Sequence, residues 1–237
     1  MKTDKICLAD IHTHILPNMD DGAESVEEAM RLLLAEKRQG VTDVVFTPHF
    51  VMHDNDVDAF IERRNTSFAI LQDMIKESSM FDEMRFYLGA EVRYDPHLIN
   101  IELDKLCIEG TSYLLLEPLG SNSFNFEQTV YTILSKGITP VLAHVERFDY
   151  LVRDKKFLSR LKADGVIFQC NASALSSKFY SSNLKKLLRN GFVHILASDA
   201  HNITRRPPML SEGYEKLKKH REELMLNAEN LINNRLI

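Results

Sequence analysis

Short apolar runs recur along this chain, and stretches with helical periodicity lie between them. The runs cover residues 6–11, 44–47, 85–92, 112–116, 140–143, 166–170 and 194–197. They are continuous rather than alternating, which is typical of parallel strands buried on both faces. Seven strands separated by helices predict a parallel α/β fold, built either as a closed or distorted barrel or as an open sheet.

Helix signals fall between the predicted strands. Ser25-Val-Glu-Glu28 is a capping-box pattern, and the amphipathic segment that follows it stops at Gly40. Further helices are predicted for residues 58–76, 126–136, 155–163 and 183–189, and residues 212–233 are interpreted as one long final helix. We see no linker that divides the chain, so we expect a single domain over residues 1–237.

Composition excludes several classes of function. Lys plus Arg number 29 and Asp plus Glu 34, a net charge of -5, which disfavours nucleic-acid binding. No apolar run approaches the ~20 residues that a membrane span needs, so no membrane insertion is expected. The N-terminus lacks the apolar segment and cleavage site of a secretory signal, and we expect a cytoplasmic protein. The three cysteines are widely separated, as reduced core thiols are.

The residues at or just after the predicted strand ends share one chemistry. Eight of the nine are His, Glu or Asp, and the set is His12, His14, His49, Glu91, Glu117, His144, Asn171, Asp199 and His201. Taken one per strand, they are 26 to 42 residues apart, which leaves room for a helix and its return. The carboxyl ends of parallel barrel strands meet on one rim, where barrel enzymes have their active sites. This placement favours a barrel over an open sheet.

The same residues form a candidate metal site. His12 and His14 are two residues apart on a strand and point to the same face. Asp21 lies in a loop that can reach the rim, whereas Asp20 is interpreted as an acidic residue facing the dipole of the helix after Ser25. The nine candidate ligands are His12, His14, Asp21, His49, Glu91, Glu117, His144, Asp199 and His201. So many ligands indicate two or three ions, and a set without thiolate suits Mn or Fe, with Zn as an alternative.

Two arginines point to phosphate chemistry. Arg147 follows His144 by three residues, and Arg205 and Arg206 follow His201 by four and five, so both segments bring guanidinium groups to the same rim. A guanidinium fork matches the oxygens of a phosphate and stabilises negative charge on it. Ions held by such a cluster generate a metal-bound hydroxide nucleophile for an in-line displacement. We therefore expect phosphoester hydrolysis, with the phosphate held by arginines of these two segments.

Other hydrolytic chemistries lack their residues. A thiol-based tyrosine phosphatase needs an Arg six positions after its Cys, but Thr13, Tyr113 and Ser176 occupy those positions here. There is no Gly-x-x-x-x-Gly-Lys loop and no Gly-x-Ser-x-Gly motif, which removes support for P-loop and serine-esterase chemistry. Amidohydrolase barrels also begin with His-x-His, but they commonly carry a bridging lysine mid-barrel, where this chain has Glu91 and Glu117.

The motifs as a set resemble a known family. Asp10-Ile-His-Thr-His14 with the Asp-Asp-Gly-Ala23 step resembles the opening of the PHP (polymerase and histidinol phosphatase) superfamily, in its bacterial capsule-operon tyrosine phosphatase branch. The later motifs follow in the same order, as Thr47-Pro-His49, Gly89-Ala-Glu-Val92, Leu116-Glu-Pro118, Ala143-His-Val-Glu-Arg147, Ser198-Asp-Ala-His201 and Arg206-Pro-Pro208. Asn18 stands where the branch often has Gly, and asparagine tolerates a left-handed turn.

The resemblance implies a distorted seven-stranded βα barrel with a three-metal cluster, commonly of manganese. It implies hydrolysis of phosphotyrosine on a protein, usually a tyrosine autokinase that controls capsule or exopolysaccharide synthesis. It also implies that the nine residues named above are the metal ligands and that Arg147 and Arg206 are the catalytic phosphate-binding residues, since all of them occupy the family's motif positions. Two alternatives stay open, a small-molecule phosphatase of the same superfamily acting on a substrate such as histidinol phosphate, and a non-catalytic metal-binding regulatory module.

Overall fold

The computed structural model describes residues 8–54, 56–119 and 125–236. Its strands are β1 (Leu8–Thr13), β2 (Val41–Phe46), β3 (His49–Phe50), β4 (Arg85–Leu88), β5 (Glu91–Arg93), β6 (Tyr113–Glu117), β7 (Thr139–Leu142), β8 (Ile167–Asn171) and β9 (Ile195–Ala197). Its helices are α1 (Val26–Arg38), α2 (Val57–Lys76), α3 (Phe126–Ser135), α4 (Asp149–Arg153), α5 (Lys155–Ala163), α6 (Ser181–Arg189), α7 (Leu210–Lys216) and α8 (Arg221–Ile232). Residues 6 and 7 of the first predicted strand lie outside the described residues.

Every paired strand runs parallel to its neighbour, which confirms the predicted α/β class. The described strands form two sheets, with orders β1-β2-β4 and β3-β5-β6-β7-β8-β9. The predicted strand 85–92 is divided into β4 and β5 around Gly89, and β3 follows β2 after two residues. These interruptions carry the chain from one sheet into the other.

Main-chain hydrogen bonds also join β1 to the segment that follows β9. The His14 amide donates to the Ala200 carbonyl at 2.8 Å, and the Asp199 amide donates to the His12 carbonyl at 2.9 Å. The Thr47 amide donates to the Thr13 carbonyl at 2.9 Å, so β1 is flanked on both sides near its C-terminal end. The carboxyl ends of the strands consequently share one side of the molecule.

The capping signal ahead of α1 is confirmed. The Ser25 hydroxyl accepts a hydrogen bond from the Glu28 amide at 3.2 Å, which satisfies one of the free donors of the first helical turn. Leu32 and Leu33 on the inward face of α1 are fully buried. In the loop before α1, Asn18 has a φ of 57°, the left-handed conformation that asparagine tolerates.

The final segment differs from the prediction of one long helix over residues 212–233. It forms two helices, α7 and α8, separated by a turn at residues 217–220. The break lets each helix bury its own apolar face: Tyr214 in α7 is packed in the main core, and Leu231 in α8 closes a smaller core formed by strand residues such as Ile11 and Val141. The sequence pattern alone did not reveal this break because Lys and Glu occupy the exposed sides of both helices.

Among the described residues, no helix combines the length and the apolar character that a membrane span requires.

Candidate metal centre

The structure brings all nine predicted ligands together at the carboxyl ends of the strands. They fall into four overlapping groups, and within each group one donor atom per residue lies within 4.8 Å of the others. The groups are His14, Asp21, His49 and His201; His12, His14 and Asp199; His12, Glu91 and His144; and His49, Glu91 and Glu117. Shared members link the groups into one continuous cluster.

Glu91 lies at the buried centre of this cluster. Its Oε2 atom lies 3.2 Å from the Nε2 atoms of both His12 and His14 and 2.9 Å from Nδ1 of His49. Its other oxygen, Oε1, lies 2.8 Å from Nε2 of His144. Glu91 stands at the start of β5, directly after the break that follows β4, so its side chain reaches donors from three other strand ends.

Asp199 occupies a second central position, with its two oxygens turned to different partners. Oδ1 lies 3.6 Å and 3.5 Å from Nε2 of His12 and His14, and 3.6 Å from Nδ1 of His201. Oδ2 accepts hydrogen bonds from Arg147 at 2.6 Å and from Arg206 at 2.7 Å. Asp199 therefore stands between the candidate ligands and both guanidinium groups.

One edge of the cluster faces solvent. The side chains of Asp21 and His49 are 66% and 30% exposed, and those of Arg147 and Arg206 are 31% and 33% exposed. Asp21 Oδ1 lies 3.4 Å from Nε2 of His49 and 3.3 Å from Nε2 of His201. The cluster is thus buried on the side of the strands and open on the side where the arginines lie.

Two of the candidate ligands have a left-handed backbone. The φ angles are 32° at His144 and 55° at Asp199, a conformation that costs free energy for residues with a Cβ. Such residues cluster at functional sites, where the surrounding structure holds them in place.

The surroundings of Glu91 and Asp199 favour the ionised form of both carboxyl groups. Burial alone would raise the pKa of Glu91 and of Asp199, yet both pKa values lie well below the usual range because nearby groups favour the carboxylate form. For Glu91 the foremost such group is His12, and for Asp199 it is His12 followed by Arg147. Both side chains are consequently ionised carboxylates, the form that binds a cation.

Asp20 is part of this site, and its interpretation as a helix-dipole residue is wrong. Its Oδ2 accepts a hydrogen bond from Nδ1 of His14 at 2.6 Å and one from the His49 amide at 2.9 Å. Burial would lower the pKa of His14, but Asp20 and then Glu91 raise it to about 10. With Nδ1 of His14 held by a carboxylate, Nε2 is turned toward Glu91, as in the carboxylate–histidine–metal arrangement.

A metal ion fits the residues present. Several buried polar atoms make no hydrogen bond of good geometry among the described residues, although charged groups lie close to them, and Glu91 Oε2, Asp199 Oδ1 and His201 Nε2 are three of these atoms. All three are donor atoms of the cluster, and a buried donor atom left without a partner is costly unless something else satisfies it. A mixed set of imidazoles and carboxylates without thiolate is the ligand chemistry of Mn, Fe or Zn.

Sequence reasoning assigned no role in the site to three further residues, Asp20, Gln169 and Asn171. Asp20 could have been found, because a ligating histidine commonly donates its second ring nitrogen to a carboxylate. Gln169 and Asn171 of β8 also contact candidate ligands, at His144 and Asp199 respectively. Asn171 stands at a predicted strand end, but an amide is not a typical metal ligand and its contacts depend on the fold.

The chain matches known proteins over nearly its whole length. A family model described as capsular polysaccharide synthesis, CpsB/CapC, matches residues 8–235. The chain is 33% identical to a protein named putative tyrosine-protein phosphatase CapC of Staphylococcus aureus, over 92% of this chain and 87% of that protein. It is 31% identical to tyrosine-protein phosphatase CpsB of Streptococcus pneumoniae, over 97% of this chain and 100% of that protein.

Solved structures give the same picture of the fold. The crystal structures of YwqE from Bacillus subtilis and CpsB from Streptococcus pneumoniae, metal-dependent tyrosine phosphatases, include a chain that aligns with a TM-score of 0.82 at 28% identity, covering 97% of this chain and 96% of that one. A β-aspartyl dipeptidase from Fervidobacterium islandicum aligns with a TM-score of 0.54 at 14% identity, over 93% of this chain and 69% of its own. The second likeness concerns the fold alone.

Proposed function

The chain belongs to the CpsB/CapC family of capsular polysaccharide synthesis, and we propose that it is a metal-dependent protein-tyrosine phosphatase. The family resemblance seen in the sequence motifs is thereby confirmed. CpsB of Streptococcus pneumoniae is named a tyrosine-protein phosphatase, CapC of Staphylococcus aureus is named a putative one, and both alignments cover most of each chain. The activity proposed for this chain depends on its own residues, which supply both the candidate metal ligands and the arginines that can bind phosphate.

The observation that carries the proposal is the position of Asp199. One of its oxygens faces the candidate metal ligands, and the other accepts hydrogen bonds from Arg147 and Arg206 at 2.6 and 2.7 Å. The two guanidiniums are thus fixed directly beside the cluster, on its solvent-facing side. An anion bound there meets the arginines and the cluster together.

Arg147 and Arg206 would hold the phosphate of the substrate. Each offers further N–H donors beyond the one that bonds Asp199, and these match the non-bridging oxygens of a phosphate. Charge accumulates on those oxygens during phosphoryl transfer, so fixed donors stabilise the transition state. Tyrosine, with a phenolic pKa of about 10, is a better leaving group than an aliphatic alcohol, which lessens the need for a separate general acid.

The nine residues of the cluster would hold two or three divalent ions, and we propose manganese as the ion, with iron or zinc as alternatives. His12, His14, His49, His144 and His201 supply nitrogen, and Asp21, Glu91, Glu117 and Asp199 supply oxygen. Bound ions of this kind provide a nucleophile at neutral pH and neutralise charge on the phosphoryl group. The residues around them exclude water from the buried side and leave the arginine side open.

The open edge supports a protein as the substrate. Because Asp21, His49 and both arginines are partly exposed, a phosphotyrosine on a protein surface can reach them without the enclosure that a small metabolite would need. We propose as partner a tyrosine autokinase of capsule or exopolysaccharide synthesis, in keeping with the family to which the chain belongs.

We further propose that residues 1–237 form one domain and that its strands form a distorted barrel with seven strand lines. Treating β2 with β3 and β4 with β5 as interrupted single lines reduces nine strands to seven. The hydrogen bonds between His14 and Ala200 and between Asp199 and His12 support contact between the first and the last line.

The test compares kcat/KM of the manganese-loaded chain on a phosphotyrosine peptide, a phosphoserine peptide of the same sequence and histidinol phosphate. We expect the phosphotyrosine peptide to be preferred and His14→Ala and Asp199→Ala to abolish turnover. Ser25→Ala, which changes only the cap of α1, is the matched control and should turn over normally. A preference for histidinol phosphate would show that the substrate is a small molecule and not phosphotyrosine. Turnover by Asp199→Ala would refute the proposed metal and phosphate site. Undetectable turnover with a full complement of metal would revive the non-catalytic module.

A further inference from the structure

Strand β8 differs from its neighbours because it contributes no candidate ligand. It carries Gln169 and Asn171 instead, two residues apart and therefore on the same face of the strand. Both amide side chains are buried, with 0% and 1% of their surfaces exposed. A buried amide is costly unless its donors and acceptors are bonded, so these two groups are informative about what surrounds them.

The two amides form a continuous chain of hydrogen bonds between three candidate ligands. Gln169 Oε1 accepts from the His144 amide at 2.7 Å and lies 3.3 Å from Nδ1 of His12. Gln169 Nε2 donates to Asn171 Oδ1 at 2.8 Å, and Asn171 Nδ2 donates to Asp199 Oδ2 at 2.7 Å. This series of hydrogen bonds thus runs from His12 on β1, past His144, to Asp199 after β9.

The donor-to-acceptor direction of these hydrogen bonds is fixed from both ends of the series. The His144 main-chain N–H can only donate, so the Gln169 atom that faces it must be the carbonyl oxygen. The Asp199 carboxylate can only accept, so the Asn171 atom that faces it must be the amide nitrogen. The two requirements leave the Gln169 nitrogen facing the Asn171 oxygen, which is a good donor–acceptor pair. No other assignment of the two amides satisfies all of these contacts.

This direction determines which ring nitrogen of His12 carries hydrogen. Because Gln169 presents an oxygen to Nδ1 of His12, that nitrogen must donate. The lone pair of the neutral imidazole is then on Nε2, which lies 3.2 Å from Nε2 of His14 and from Oε2 of Glu91 at the centre of the cluster. The same amide chain holds Asp199 through Oδ2 and leaves Oδ1 toward the histidines.

We propose that Gln169 and Asn171 are positioning residues of the metal centre, which fix the Nδ1–H tautomer of His12 and hold His12, His144 and Asp199 in register. The inference rests on the metal centre of the proposed function. Partners that hold ligands in this way contribute about 10- to 100-fold to metal affinity. Neither residue is itself a candidate ligand, and both contact candidate ligands, so the effect is exerted through the ligands.

The first test measures manganese affinity of the full chain without substrate, from the electron paramagnetic resonance signal of free Mn²⁺. Gln169→Met keeps the side-chain length but removes the acceptor, and it should weaken binding about 10- to 100-fold. Gln169→Glu keeps an oxygen toward His12 and His144 but loses the donor to Asn171 Oδ1, so it should weaken binding less than Gln169→Met does. Asn171→Leu should weaken binding as Gln169→Met does.

Asn227→Leu is the matched control. Asn227 donates to the His194 carbonyl at 2.8 Å, at the opposite end of β9, and contacts no candidate ligand among the described residues. It should leave manganese affinity unchanged. Equal weakening by Gln169→Met and Gln169→Glu would show that the oxygen facing His12 and His144 has no effect and would overturn the proposal, as would unchanged binding in all the variants.

A second measurement needs no substitution. In the zinc-loaded wild-type chain, ¹⁵N-histidine NMR should show the ring proton of His12 on Nδ1, and a proton on Nε2 would overturn the proposal. Both measurements omit substrate, so a chain that binds manganese as expected but does not hydrolyse phosphotyrosine would overturn the proposed activity and leave this inference standing. A wild-type chain that binds no manganese would overturn both.

Discussion

Gly22 is the residue whose substitution tests the geometry of the centre most sharply without removing a ligand. It is buried in the loop before α1, against the main chain of His14. The neighbouring Ala23 amide donates to the His14 carbonyl at 3.0 Å. An ideal Cβ on Gly22 would lie 2.0 Å from that carbonyl oxygen and 2.6 Å from the Cβ of His14.

The expected losses of activity and stability in Gly22→Ala follow from these distances. Heavy atoms rarely approach a Cβ closer than 3.0 Å, so Gly22→Ala must separate the loop from His14 by about 1 Å. A displacement of about 1 Å in a catalytic group costs about 100-fold in rate. Overpacking a buried site costs about 1–3 kcal/mol of stability, and in a chain of this size each kcal/mol lowers the melting temperature by about 2–4 °C.

The assay is kcat/KM on a phosphotyrosine peptide, measured with manganese content and thermal unfolding for the same samples. Gly110→Ala is the control: its added Cβ meets no atom within 4 Å, but its φ of +74° makes alanine strained. We expect Gly110→Ala to lower the melting temperature and leave turnover unchanged, whereas Gly22→Ala lowers both. Wild-type turnover in Gly22→Ala would refute the argument that His14 must stay where the loop holds it.

Three further predictions concern other parts of the chain. Arg147→Lys keeps the charge but loses the guanidinium fork, and kcat/KM on the phosphotyrosine peptide should fall about 10- to 100-fold; an unchanged kcat/KM would contradict a phosphate-binding role. Asp20→Asn weakens the bond to Nδ1 of His14, and Mn²⁺ affinity measured by competition with a chelator should fall about 10- to 100-fold; unchanged affinity would remove Asp20 from the site. Burial, with Lys162 nearby, lowers the pKa of His194 from 6.5 to about 4. Between pH 6.5 and pH 4 the unfolded chain therefore binds more protons than the folded chain. The stability that neutral His194 contributes is complete above pH 6.5 and is lost as the pH falls, which lowers the free energy of unfolding by on the order of 3 kcal/mol. The urea midpoint of His194→Gln should fall less between pH 7 and 5 than that of the wild-type chain, and equal falls would refute the assignment.

The ligand positions could be predicted because they follow from local sequence and one general rule. Runs such as 140–143 identify strands, and the residue after a parallel strand lies on the shared rim, so His144 and Asp199 could be placed together from the amino-acid sequence alone. The resemblance added the order of the motifs. Both kinds of reasoning depend only on which residue follows which strand.

Other features depend on contacts between distant segments, which the sequence does not display. Asp20 and Asp21 are neighbours of the same residue type, yet Asp20 accepts a hydrogen bond from Nδ1 of His14 while Asp21 faces His49 and His201. The amide of Gln169 has a role only because β8 lies where its side chain meets both His12 and His144.

The secondary structure shows the same limit. The interruption of the strand at Gly89 is caused by the transfer of the chain between two sheets, and the break between α7 and α8 by the packing of α8 beneath the strands. Neither cause is visible in a local pattern of apolar residues. Local patterns therefore located the elements, and their interruptions required the tertiary structure.

The central claim is that nine side chains form one metal centre beside a phosphate site made by Arg147 and Arg206. The most direct test is a crystal structure of the full chain with manganese and inorganic phosphate, with anomalous differences recorded at the manganese edge. We predict two or three anomalous peaks among the four ligand groups, with the phosphate bound to both arginines. A manganese-loaded crystal with no peak between Glu91 and Asp199, or with phosphate bound away from the arginines, would contradict it.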